Sequence, residues 1–191
     1  MQSFFEYLSS QNLIASNLSG TDSLNKLVDS IFKSASNPNS IVFTIGNGGS
    51  ASTAEHFSAD LAQMEKRTGV AVRSFCLNSQ IALSSAFAND YEYSTALAAQ
   101  LTSFKDSSFI LVAFSASGNS KNVLNALNFS LSVGKEVHCF TGFSGGEVLG
   151  MEKANVIHFP DSEKNYGIAE NLHLTATHYV VDRLIEKFTV N

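Results

Sequence analysis

Only two cysteines occur in the 191 residues, Cys76 and Cys139, each inside an apolar, strand-like run. That excludes a disulfide framework, and both thiols are expected as reduced core residues. Long apolar stretches are missing too. The longest, Phe109 to Phe114 and Ile41 to Ile45, are far shorter than the ~20 residues that cross a bilayer. The first residues show no basic stretch followed by an apolar core, so a cytoplasmic location without a membrane partner is expected. Basic residues number 12 against 17 acidic, and the densest group is Lys66, Arg67 and Arg73. Nothing there resembles the basic stripe of a nucleic-acid groove, so no nucleic-acid partner is expected. Proline is confined to Pro38 and Pro160, and no low-complexity segment or long repeat interrupts the chain. The length suits one domain, with room for a helical extension.

What remains is an alternation of short apolar runs and helical patterns. Strands are predicted at 41–45, 73–77, 109–114, 137–141 and 156–159, and helices at 3–17, 22–35, 51–65, 80–88, 92–103, 121–133 and 168–188. The strand at 41–45 is apolar without alternation, as a strand covered on both faces should be. The fold expected is α/β, a doubly wound parallel sheet of five strands flanked by helices, with ligands beyond the strands' carboxyl ends. The helix at 22–35 repeats Leu24, Leu27, Val28, Ile31 and Phe32 at helical spacing, and Asp22 or Thr21 can cap it. Residues 1–36 carry no convergent chemistry and are read as helices for packing and oligomerisation; 37–191 form the ligand-binding domain.

Two strand ends carry polar, glycine-containing turns at the start of a helix. One is Ser115-Ala116-Ser117-Gly118-Asn119-Ser120, the other Gly46-Asn47-Gly48-Gly49-Ser50. The first helical N–H groups have no partners and the helix dipole is positive there, so such a turn cradles an anion. Three serines add hydroxyl donors, and Gly118 allows close backbone approach. The guest expected is a phosphate. Neither the lysine of a P-loop nor a G-x-G-x-x-G is present, which turns the reading away from nucleoside triphosphates and dinucleotides.

A second constellation has metal-ligand character. His56 and Asp60 are four apart and leave one helix face together. Glu170 and His178 lie eight apart on the last helix, about 80° around its axis, in the sector of Leu174, Val181, Leu184 and Ile185, and are expected near the core side. His173 falls about 140° from His178 and is not expected to share an ion with it. Two histidines with two carboxylates suit zinc or a similar divalent ion; the same spacing also suits a plain hydrogen-bonded His–Asp pair. His138 and His158, inside strand-like runs, are read as structural.

Taken in order, Gly46 to Ser50, His56, Ala88-Asn89-Asp90-Tyr91, Ser115 to Ser120, Thr141-Gly142 with Gly145-Gly146, and a last helix with His173 and His178 resemble the sugar isomerase (SIS) domain, over about residues 40 to 187. Within it the pattern is most similar to the phosphoheptose isomerases, which interconvert sedoheptulose 7-phosphate and D-glycero-D-manno-heptose 7-phosphate, a heptose precursor for cell-surface polysaccharide. The resemblance implies a flavodoxin-like sheet, a homotetramer with active sites between subunits, and one zinc or other divalent ion per site. It places substrate contacts at Asn47, Ser50, Asp90, Ser115, Ser117 and Ser120, and metal ligands at His56, Asp60, Glu170 and His178. Asp60 and His178 would be the acid and base, in an order left open.

The chain departs from that pattern in three places. The family's glutamate is Asp60, its glutamine ligand is Glu170, and an arginine expected eight residues after the first histidine is Met64, with Lys66 and Arg67 the nearest replacements. Each metal position still offers a ligand, in a more anionic set. Two other readings stay open: an isomerase of a different phosphosugar, and a non-catalytic SIS module that senses a sugar phosphate or binds a partner protein.

Overall fold

The computed structural model describes residues 3–18 and 22–190. Five parallel strands form one sheet: β1 (Ile41–Ile45), β2 (Ser74–Cys76), β3 (Phe109–Ser115), β4 (Glu136–Thr141) and β5 (Asn155–His158), in the order β2-β1-β3-β4-β5. This is the flavodoxin-like order, and its reversal between β1 and β3 opens a crevice at their carboxyl ends. All five residues of β1 and all seven of β3 are buried, as the unbroken apolar runs required.

The helices are α1 (Phe4–Ser16), α2 (Asp22–Ala35), α3 (Gly49–Ala62), α4 (Met64–Thr68), α5 (Ile81–Asp90), α6 (Ala96–Thr102), α7 (Lys121–Ser132) and α8 (Tyr166–Val190). Alternate strand residues serve two cores. Val42, Ile110, Val112, Phe114 and Phe140 pack with Leu27 and Ile31 of α2, Phe57 and Leu61 of α3, and Val180 and Leu184 of α8. Phe43, Ile45, Leu111 and Cys139 pack on the other face with Leu101 of α6 and Val123 and Leu127 of α7. Thus α2 belongs to the main core, whereas neither α1 nor α5 buries a residue fully. Asp22 opens α2, and its alternative cap, Thr21, lies outside the described residues.

Several boundaries differ from the sequence expectation. The helix expected at 51–65 begins at Gly49 and breaks at Gln63 into α3 and α4. The one expected from 92 begins only at Ala96, because Ser94 and Thr95 hydroxyls bond back to Glu92 and hold a turn there. Both cysteines are free and buried, and burial pushes the Cys139 thiol far above its usual range.

Two histidines are buried against the sheet, His138, which the sequence reading took as structural, and His173. His138, on β4, is buried between Asn155, whose Nδ2 lies 2.8 Å from its Nδ1, and Glu136, 3.4 Å from its Nε2. That imidazole and the Ser30 hydroxyl hold the Glu136 carboxyl below its ordinary range. His173, on α8, is fully buried against the rings of Phe114, Phe140 and Phe159, and among the described residues neither ring nitrogen makes a well-formed hydrogen bond.

Burial drives the His173 pKa down to about 4, offset in part by the backbone of Thr141. The unfolded imidazole titrates near 6.5. Below that pH the unfolded chain therefore binds a proton that the folded chain refuses, and stability falls as pH drops from about 6.5 to about 4. At about 1.4 kcal/mol per unit, the loss is about 3 kcal/mol. Urea denaturation at about pH 7 and about pH 4 should show it, and His173→Leu should lose clearly less than the parent over the same interval.

Candidate active site

Both polar turns lie at the β1/β3 crevice. After β1, Gly46 is held at both its N–H and its carbonyl by the Asn78 amide, at 3.0 and 2.8 Å, and α3 starts without a side-chain cap. The buried stripe of α3 is Ser50, Thr53, Ala54, Phe57, Ser58 and Leu61, and the Thr44 hydroxyl donates to the Ala54 carbonyl, locking the helix to β1. After β3, Ser115 is buried and its hydroxyl donates to Ser120 Oγ at 3.4 Å. The N–H of Asn119 donates to Ser117 Oγ, while Asn119 Oδ1 accepts from the N–H of Glu147. Gly118 has φ +65°, and a Cβ there would overlap the Gly145 carbonyl. The turn is therefore restricted to glycine. Ser120 caps α7 by position only, so its hydroxyl and the first N–H groups of the helix remain for an anion.

A pair of amides ties the two turns together. Asn47 and Asn122 exchange reciprocal 2.8 Å hydrogen bonds, and the Tyr93 hydroxyl donates to Asn47 Oδ1 at 2.8 Å. Asp90 stands exposed at the end of α5, where its carboxylate accepts from Asn89 Nδ2. Asn78, Asn122 and Tyr93 escaped the sequence reading. Asn122 had a faint signal, an amide in the first turn of the helix that follows the serine turn, and Tyr93 had none.

The second grouping lies where α3 meets α8. His56 Nε2 is 3.4 Å from Asp60 Oδ2 and 3.0 Å from His178 Nε2, and His178 Nε2 is 4.0 Å from Asp60 Oδ2. At 3.0 Å either one imidazole nitrogen donates to the other or both face one cation. The three ligand atoms lie within 4.8 Å of one another, an arrangement able to hold a metal ion. The other Asp60 oxygen is 3.7 Å from the Arg67 guanidinium, so Arg67 supplies a cation beside the carboxylate, while Met64 is buried in the core.

His178 corrects the expectation of a core-side position. Its side chain is half exposed, because α8 turns Leu172, His173, Ala176, Val180 and Leu184 inward and leaves His178 on the flank beside α3. Glu170 does not join the trio; its carboxylate rests on Gly49, at the start of α3. His158, at the end of β5, bonds Thr141 Oγ1 at 3.0 Å, and burial lowers its pKa.

Known proteins place the chain. The family model for the SIS domain matches residues 6–142. A probable phosphoheptose isomerase of Thermoplasma acidophilum is 32% identical over 164 residues, covering 85% of this chain and 87% of the relative. The phosphoheptose isomerase of Colwellia psychrerythraea is 30% identical over 137 residues, 72% of this chain and 70% of the relative. Among solved structures, a phosphoheptose isomerase from Francisella tularensis superposes with a TM-score of 0.83 at 24% identity, covering 96% of this chain and 95% of that one. The sheet order, the paired turns and these relatives agree: the chain belongs to the SIS-domain family and, within it, groups with the phosphosugar isomerases.

Proposed function

We propose that the protein interconverts sedoheptulose 7-phosphate and D-glycero-D-manno-heptose 7-phosphate. The observation that carries this reading is the convergence of His56, Asp60 and His178 on one flank of a domain that also presents an open serine cradle. An aldose–ketose isomerisation needs both halves, a hold on the phosphate and proton-transfer groups at the carbonyl end. Relatives at about 30% identity that carry the phosphoheptose isomerase name support the choice of sugar.

In this reading the hydroxyls of Ser115, Ser117 and Ser120, with the first N–H groups of α7, hold the phosphate. Ser50, Asn47 and Asp90 contact the rest of the substrate. Asp60 and His178 move one proton between adjacent carbons through an enediol, one as base and the other as acid. Arg67 keeps one Asp60 oxygen occupied and leaves the other toward the imidazoles. The trio also fits a divalent ion, zinc in our reading, since two imidazole nitrogens and a carboxylate oxygen already face one another. When bound, such an ion supplies Lewis-acid polarisation of the substrate carbonyl.

His56 lies seven residues into α3, about 10 Å along the helix from the first cradle. A site that uses cradle and trio together is most simply completed between subunits. Apolar surface supports this: Phe4 and Phe5 of α1 are 78% and 77% exposed, and Ile81 of α5 is 77% exposed. We assign these faces to a homotetramer.

An NMR time course of metal-loaded protein with sedoheptulose 7-phosphate in D₂O should show aldose signals and deuterium beside the carbonyl; neither appearing would end the heptose reading. His178→Ala should bind the substrate nearly as the parent does, with turnover lower by about 10²-fold to 10⁴-fold. Ser120→Ala should weaken competition by inorganic phosphate about tenfold, the worth of one hydrogen bond to a charged group. Chelator treatment should remove activity, and zinc should restore it.

A further inference from the structure

Asn47, in the turn after β1, is fixed from two directions. Its backbone is held through Gly46, whose N–H and carbonyl both bond the Asn78 amide, at 3.0 and 2.8 Å. Its side chain is held by Asn122 and Tyr93. Asn122, the second residue of α7, is only 4% exposed and cannot turn away to water. Tyr93 reaches in from the turn between α5 and α6, and α7 anchors that turn as well, since Asn125 Nδ2 donates to the Ser94 carbonyl at 2.9 Å. All these groups belong to one chain, so the arrangement is complete within a subunit.

Little of the Asn47 amide is left for a ligand. A carboxamide has two acceptor sites on its oxygen and two protons on its nitrogen. The Asn122 amide and the Tyr93 hydroxyl, each at 2.8 Å, take both sites on Oδ1. Asn122 Oδ1 takes one proton of Nδ2, also at 2.8 Å. Among the described residues no hydrogen bond uses the second proton, and the side chain is only half-buried. A ligand in the crevice therefore meets one N–H at Asn47 and no free oxygen. A web that satisfies each member in this way also restricts each to one orientation.

We infer that Asn122 and Tyr93 are positioning residues for the isomerisation: they hold Asn47 as a donor-only contact to an oxygen of the sugar chain, and they act on the substrate through Asn47 alone. This deepens the phosphosugar isomerase reading and rests on it, because that reading puts Asn47 against the substrate. An unheld asparagine could turn its oxygen toward the lone pairs of a carbonyl or enediol; the held one cannot. Asn122 also lies in the first turn of the helix that follows the phosphate-holding serines. One helix end thus fixes both the seat of the phosphate and the direction of the Asn47 N–H.

A double-mutant cycle on the metal-loaded protein tests this, with kcat/KM and calorimetric affinity for sedoheptulose 7-phosphate as readouts. Tyr93→Phe, which removes one hydroxyl, should lower kcat/KM about threefold to tenfold, and Asn122→Ala about tenfold or more. Affinity should show the same pattern. In the Asn47→Ala background each of the two should add no more than about twofold, because the group they position is gone. Inhibition by inorganic phosphate should stay within about twofold of the parent in both single variants, since the serine hydroxyls are untouched. A Tyr93→Phe loss as large in Asn47→Ala as in the parent would mean that the hydroxyl acts by itself or merely supports the fold, and overturns the inference. Parental kinetics and affinity in both single variants overturn it too, as does phosphate inhibition that weakens as far as kcat/KM falls. Failure of the isomerase reading looks different: the parent shows no turnover, while the cycle in sugar-phosphate affinity can still be closed and decides the positioning roles separately.

Discussion

The pairing of β1 with β3 is the constraint on which everything else rests. Ile41 to Ile45 lie against Phe109 to Ala113 in parallel register, so the two strands end side by side. The chain leaves β1 toward β2 on one side and β3 toward β4 on the other, which parts the connecting helices at that edge. Two helix amino ends then face one crevice. Shifting the pairing by one residue would turn Val42, Ile110 and Val112 from one core to the other, so the apolar pattern on both faces protects the register.

Above that base the protein separates rigid from accessible chemistry. Each cradle is a web of short local bonds, Asn78 around Gly46 and Asn119 to Glu147, and each helix behind it is fastened by a buried stripe. The His–Asp–His trio is less enclosed, with both imidazoles about half exposed on the flank of the core. Positioning by buried neighbours keeps first-contact groups within reach of a ligand without exposing the backbone that carries them.

Much of this could be read in the chain itself. Strand positions followed from unbroken apolar runs between helical periods, as burial on both faces requires, whereas the flavodoxin-like arrangement came only from the family resemblance. His56 and Asp60 came together because four residues close one helical turn. What could not be read depended on distance through space. The 80° between Glu170 and His178 located neither on α8's true inner face, since His173, a polar residue, takes a core position there. No spacing rule ties Tyr93 to Asn47, or Glu170 to Gly49, across so many intervening residues. Arg67 was visible only as one of two basic candidates, and its approach to Asp60 comes from α4, beyond the break at Gln63.

The amide pair between the turns has a consequence for how such a chain can change over generations. Asn47 and Asn122 each give the other one donor and one acceptor, and the Tyr93 hydroxyl marks which end of Asn47 is oxygen. Replacing either by aspartate sets two acceptors against each other in a half-buried place, and replacing either by an apolar residue strands its mate. Single steps at these positions lead downhill in fitness, whereas a matched double step keeps the clasp. The two amides, 75 residues apart in the chain, are in this respect one inherited unit.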